Sequence, residues 1–153
     1  MNACARNAYA AYQKNELESL STAEIVVKLY EKLRVKLCSA CEDIEAGRLA
    51  SKAEAMSLAV AILTELQASL DLEQGGEIAA NLNDLYGYLI SELVVANMKN
   101  DTQKIRSSLK VVEPLLEAWI EIAKGQKSEG RPARSAAEYR GAVEAAVGSV
   151  INY

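Results

Sequence analysis

Apolar side chains return every three or four positions through four separate stretches of the chain, the spacing that places them on one face of an α-helix. Val26, Tyr30, Leu33, Leu37, Cys41 and Ile44 form the first seam, and Met56, Ala59, Leu63, Leu66 and Leu70 the second. Ile78, Leu82, Leu85, Leu89, Leu93 and Ala96 make the third, and Ile105, Leu109, Val112, Leu116, Trp119 and Ala123 the fourth. None of the four segments shows the strict alternation of a half-buried strand. The pattern predicts an all-α fold, an antiparallel up-down four-helix bundle over residues 21–124, with helices joined by short loops.

The residues between the seams suggest where each helix begins and ends. Ser21-Thr22 with Glu24 offers an N-cap for the first helix. Gly47 should end that helix, and Ser51 should cap the second. The pair Gly75-Gly76 reads as a helix stop at which the chain reverses. Residues 97–101 divide the third helix from the fourth, with Asp101 or Thr102 as the next cap. Pro114 removes a backbone donor inside the fourth segment and should kink it or start a new turn. Outside the bundle, residues 1–20 form a short N-terminal cap segment with Tyr9 and Tyr12. Residues 125–134 read as a flexible linker. Residues 135–153 form an amphipathic tail, a possible extra helix, with Tyr139, Val143, Ala146, Val147 and Val150 on one side.

Composition narrows the function more than it changes the fold. The chain has 153 residues, enough for one domain, with 50% hydrophobic and 25% charged residues and only two prolines. A net charge of −4 gives no nucleic-acid surface. No apolar run approaches the roughly 20 residues of a membrane span, and the start of the chain lacks the pattern of a secretory signal. Three cysteines, an odd number, argue for reduced thiols and a cytoplasmic protein. Histidine is absent. With it go the commonest general base and metal ligand, and with them the di-iron and phosphotransfer versions of a helical bundle. No cofactor is expected.

Cys38-Ser-Ala-Cys41 is the one motif with an enzymatic association. It lies deep in a helical run, and the carboxylates of Glu42, Asp43 and Glu45 that follow would disfavour a thiolate. The pair reads as small apolar residues on a buried face; the alternative is a dithiol redox protein using Cys38 and Cys41. Three segments carry a second apolar stripe beside the seam: Leu58 and Ile62; Ile90 and Val94; Val111, Leu115 and Ile122. Such stripes either widen the core or form grooves for a partner's amphipathic helices. Tyr86 and Tyr88 are core rims or contact anchors. A self-assembling structural bundle is a further alternative.

One stretch goes beyond pattern. The order S-L-D-L-E-Q-G-G-E-I-A-x-N-L-x-x-L-Y-x-Y from Ser69 to Tyr88, followed by L-x-x-A-N from Leu93 to Asn97, closely resembles the flagellar secretion chaperone FliS family. N-A-Y-x-A-Y-x-x-N from Asn7 to Asn15, K-L-Y-E from Lys28 to Glu31, and Ala118-Trp119 are similar to that family in order and spacing. The resemblance covers roughly residues 5–124. It departs at Ser21-Thr22, where the family has Ser-Pro or Thr-Pro, at Lys32, where glycine is common, and at Glu92, where arginine is frequent.

The resemblance implies a cytoplasmic, non-enzymatic export chaperone that binds the C-terminal segment of flagellin. It would prevent premature polymerisation and deliver flagellin to components of the flagellar type III export apparatus. It also implies that the N-terminal segment shifts on binding, with Tyr9, Tyr12 and Gln13 as gating residues. Leu58, Ile62, Tyr86, Ile90, Val94, Val111, Leu115 and Ile122 are then the candidates for flagellin contact. The protein is expected to be a monomer or a weak homodimer.

Overall fold

The computed structural model describes residues 22–129, all in four helices and their connections: α1 (Thr22–Glu45), α2 (Leu49–Ala68), α3 (Gly76–Lys99) and α4 (Thr102–Glu129). The N-terminal segment with Tyr9, Tyr12 and Gln13, and the tail from Ser135, lie outside the described residues. α1 packs against α2 and α4, and α3 packs against the same two, so the helices form a ring in chain order. Neighbours run antiparallel. Lys52 at the start of α2 bonds Asn97 near the end of α3, and Gln67 at the end of α2 bonds Asn83 near the start of α3. Arg106 in the first turns of α4 pairs with Glu45 at the end of α1.

All four seams face inward. Tyr30, Leu33, Leu37, Met56, Leu63, Leu89, Leu93, Ile105 and Leu116 are all but inaccessible to solvent, and burying each of the leucines contributes roughly 1.5–3 kcal/mol. Ile62, Val111, Leu115 and Ile122 are buried with them. They do not form a spare stripe on the surface. Each helix of the ring meets two neighbours, so the face it buries is wider than one seam and takes in the positions beside it.

The end of the bundle that holds the α1–α2 and α3–α4 connections is closed by polar bonds. Asp43, buried, accepts from Arg48 Nε at 2.9 Å. Hydrogen bonds from Ser51 and Arg48 hold its carboxyl below the usual carboxylate range. Ser51 therefore serves Asp43 and makes no cap for α2, whose N-cap position is Arg48 with no side-chain cap bond. Lys52, also buried, donates to the Asn97 carbonyl at 2.9 Å and to Asn100 Oδ1 at 2.7 Å. This places a cation at the C-terminus of α3, where the helix dipole favours it. Asn100 takes the left-handed conformation that ends α3, and Asp101 Oδ1 accepts the Lys104 backbone N–H to cap α4.

Two boundaries differ from expectation. α2 ends at Ala68, and the reversal runs over 69–75. The glycine pair opens α3 and does not stop α2: Gly75 is the N-cap and Gly76, at φ 56°, the first helical residue. Asp71 organises this turn. Its carboxylate accepts the backbone N–H groups of Glu73 and Gln74, and its carbonyl accepts that of Gly75 at 2.8 Å. A Cβ on Gly75 would lie 2.6 Å from both the Asp71 carbonyl and the Ala79 Cβ, so only glycine lets the connection close so tightly. Gly75→Ala should therefore destabilise the bundle by about 1 kcal/mol in urea denaturation; an unchanged midpoint would contradict the close packing.

A further difference lies in α4, which contains Pro114 as expected but passes Gly125 without stopping and runs on through 125–129. One glycine in a helix costs only about 1 kcal/mol and obliges no stop at Gly125, and Pro114 lies between turns whose Val111, Val112, Leu115 and Leu116 are buried in the core. The stretch expected as a linker is thus helical over its first five residues.

Candidate functional site

The other end of the bundle holds a cavity of about 490 Å³. Ile25, Val26 and Leu29 of α1 form one wall, Leu66 of α2 with Leu70 just beyond it a second, and Ile78, Ala79 and Leu82 of α3 a third. Trp119 closes it from α4, and Glu65, Asp71 and Gln74 stand among its lining residues as polar groups. The lining is largely apolar. A shallower groove of about 380 Å³ between α1 and α4 has Val27, Ile120 and Ala123 at its base and both signs of charge around it, from Glu24, Lys28, Glu31 and Lys124.

Behind the cavity two tyrosines meet inside the core. The hydroxyls of Tyr30 and Tyr86 are 2.6 Å apart, and both side chains are buried. Burial, above all, pushes the Tyr30 phenol up, and the Trp119 side chain, hydrogen-bonded to it, opposes the shift. Burial also raises Tyr86, with the hydrogen bond from Tyr30 working against it. The bond directions follow from the donors. The indole N–H has only a proton to give, so it donates to Tyr30, whose own hydroxyl hydrogen then goes to Tyr86. This chain ties α4, α1 and α3 together and sets the indole against the cavity.

The candidate contact residues fall into three groups. Ile62, Val111, Leu115 and Ile122 are core, and Tyr86 is both core and cavity wall. Ile90 and Leu58 are half-buried, and Val94 is 45% exposed. Ile90, Val94 and Met98, at steps of four, run along one side of α3 and rise out of the core to a methionine 72% exposed. Sequence periodicity missed Met98, and it missed the cavity residues Ile25, Leu29, Leu70 and Ile78 as a group. A cavity built from the ends of several helices leaves no period in any one of them.

Cys41 is buried and its thiol is pushed up, first by burial, while Cys38 is exposed. The Cys41 Sγ makes a long bond, 4.0 Å, to the Thr102 carbonyl. A thiol held protonated in a helix interior is a poor nucleophile. Among the described residues no group of carboxylates and thiols is placed to hold a metal ion, and no helix is long and apolar enough to cross a membrane.

The family profile of the flagellar protein FliS matches residues 5–126. The chain belongs to the FliS family. It is 38% identical over 106 residues to the flagellar secretion chaperone FliS of Salmonella typhimurium, covering 69% of this chain and 78% of that protein. It is 35% identical over 120 residues to the FliS of Campylobacter jejuni, covering 75% and 90%. To that of Vibrio cholerae it is 29% identical over 121 residues, covering 76% and 89%. FliS is a family of chaperones and not of enzymes, which removes the dithiol redox alternative. The FliS match takes in the α2–α3 connection with its glycine pair, both buried tyrosines and Trp119, the features that build the cavity.

Proposed function

We propose that this protein is a cytoplasmic export chaperone that binds the C-terminal segment of flagellin, holds it back from polymerisation and passes it to the flagellar type III export apparatus. Family membership supports the chaperone role. The observation that carries client binding is the apolar cavity between α1, α2 and α3. An apolar concavity edged by a few polar groups takes the anchor side chains of an amphipathic helix, in the manner of other helix-in-groove complexes. The row Ile90, Val94 and Met98, together with Leu58, extends the apolar surface available to a client on α3 and α2. Ile62, Tyr86, Val111, Leu115 and Ile122 support that surface from the core and do not touch the client as groove residues, Tyr86 excepted at the cavity wall.

The N-terminal segment joins α1 at Thr22, which itself lines the cavity. Tyr9, Tyr12 and Gln13 act in this reading as a gate that moves when the client arrives, supported by the junction of their segment with the cavity at Thr22. Co-expression with flagellin tests the proposal. Full-length flagellin should co-purify with the protein, and flagellin lacking its C-terminal segment should not. Equal recovery of both, or of neither, would overturn it.

A further inference from the structure

We propose that the cavity selects a client segment carrying a lysine or arginine about one helical turn from its apolar anchors, and that Glu65 and Asp71 bind that cation. This rests on the proposed function, because the segment is the one supplied by flagellin. Apolar contact alone leaves open which amphipathic helix is accepted and which way round it sits, and the charge at the edge of the cavity decides both.

Among the described residues that line the cavity, Glu65 and Asp71 alone are charged, and both are acids. They belong to one wall. Leu66 and Leu70 form it, and each carboxylate stands next in the chain to one of these leucines. Glu73 and Glu77, exposed in the adjoining connection and first turn of α3, add to the same edge. The positive end of the α3 dipole opens there too, worth about half a charge, and Asp71 with Glu77 more than offsets it. The two ends of the bundle differ in how their acids are matched. At the closed end Asp43, Glu45 and Glu92 pair with Arg48, Arg106 and Lys104. At the cavity end Asp71 Oδ1 accepts only backbone N–H groups, those of Glu73 and Gln74. The Glu65 carboxylate has no hydrogen-bond or ion-pair partner among the described residues.

A cavity of about 490 Å³ receives a few apolar side chains and leaves the rest of a client helix at its mouth. Residues three or four positions from an anchor share its face of the helix, so a lysine or arginine there lies over the rim. Its methylene stem covers the wall leucines while its charged head reaches the carboxylates. An uncharged helix in the same place would strip water from Glu65 and Asp71 and give them no partner. An acidic one would be repelled. The edge therefore discriminates among helices of the same apolar pattern, and it turns the cationic flank of the accepted one towards the α2–α3 connection.

A peptide of the flagellin C-terminal segment, titrated into the full chain by calorimetry, supplies the test. The titration is run at low salt and again at about 1 M salt, where screening shortens to about 3 Å. At low salt Glu65→Gln should weaken binding about threefold and Glu65→Lys about tenfold, and both differences should shrink at high salt. Glu65 is exposed, so the melting curve of the bundle should stay in place. A second peptide, with its lysines and arginines replaced by glutamine, should bind more weakly, and should bind the unsubstituted protein and Glu65→Gln alike. Binding to Glu65→Lys as tight as to the unsubstituted protein, or tighter, would overturn the proposal. So would a second peptide that keeps the affinity of the first. If Ile25→Glu abolishes binding while the Glu65 variants leave it intact, the client sits in the cavity and the proposed function stands, but charge selection falls. A first peptide that fails to bind the unsubstituted protein at either salt overturns both.

Discussion

Replacing Ile25 with glutamate should weaken binding of a flagellin C-terminal peptide by more than about tenfold, or roughly 1.4 kcal/mol, while the bundle itself stays folded. Ile25 lines the apolar cavity yet is 37% exposed, so its side chain is a contact surface more than a core element. A carboxylate there keeps its water in the free protein and costs little, within about 0.5 kcal/mol, as for most surface changes. In the complex it would be desolvated against apolar anchors with no cation among the lining residues. Burying an unpaired charge is the costlier event by a wide margin. Calorimetry gives the affinity, and thermal melting gives the fold. Binding that survives the substitution unchanged would move the client site away from the cavity, to the Ile90–Val94–Met98 row.

Tyr30→Phe and Tyr86→Phe should each cost about 2 kcal/mol, yet the double substitution should cost no more than either alone. Tyr86→Phe leaves the Tyr30 hydroxyl hydrogen without its acceptor and Tyr30→Phe leaves the Tyr86 hydroxyl without its donor, and both residues are inaccessible enough that water cannot replace the lost bond. Removing both leaves an apolar contact of similar shape. The Trp119 side chain, half-buried, is left to find water when its acceptor goes. Urea denaturation of the four proteins measures the coupling, and additive costs would contradict the bond. The pH dependence carries the same signature. Both phenols are raised in the folded state, chiefly by burial. Their contribution is therefore complete below the ordinary tyrosine pKa of about 10 and is lost as pH rises through the higher folded values. Above about pH 10 the unsubstituted protein should lose melting temperature faster than the double phenylalanine variant.

Much of the fold was legible because helical seams are periodic, and every seam position from Tyr30 to Ala123 is buried or half-buried. The caps were less so. A glycine pair can end a helix or open one, and here Asp71 decides by gathering the N–H groups of Glu73 and Gln74 so that only Gly75 fits beside Ala79. Gly125, expected to open a linker, lies inside α4, which also contains Pro114. The candidate contact residues divided for one geometric reason. Positions flanking a seam are core when both neighbouring helices reach them, as with Leu115 and Ile122, and surface when they lie on the outer side, as with Val94. Periodicity within one helix cannot separate these cases, because the answer lies in where the other helices stand. The Tyr30–Tyr86 bond joins residues 56 positions apart, and no local pattern announces it.

The proposed holding of the C-terminal segment of flagellin rests on apolar contact and needs neither nucleotide nor metal. Titrating a flagellin C-terminal peptide into the full chain by calorimetry, in EDTA and without nucleotide, tests it most directly. Saturable one-to-one binding with a negative heat-capacity change, the mark of apolar burial, is the expected result. No binding under those conditions, or binding that appears only with ATP or a metal ion, would contradict it.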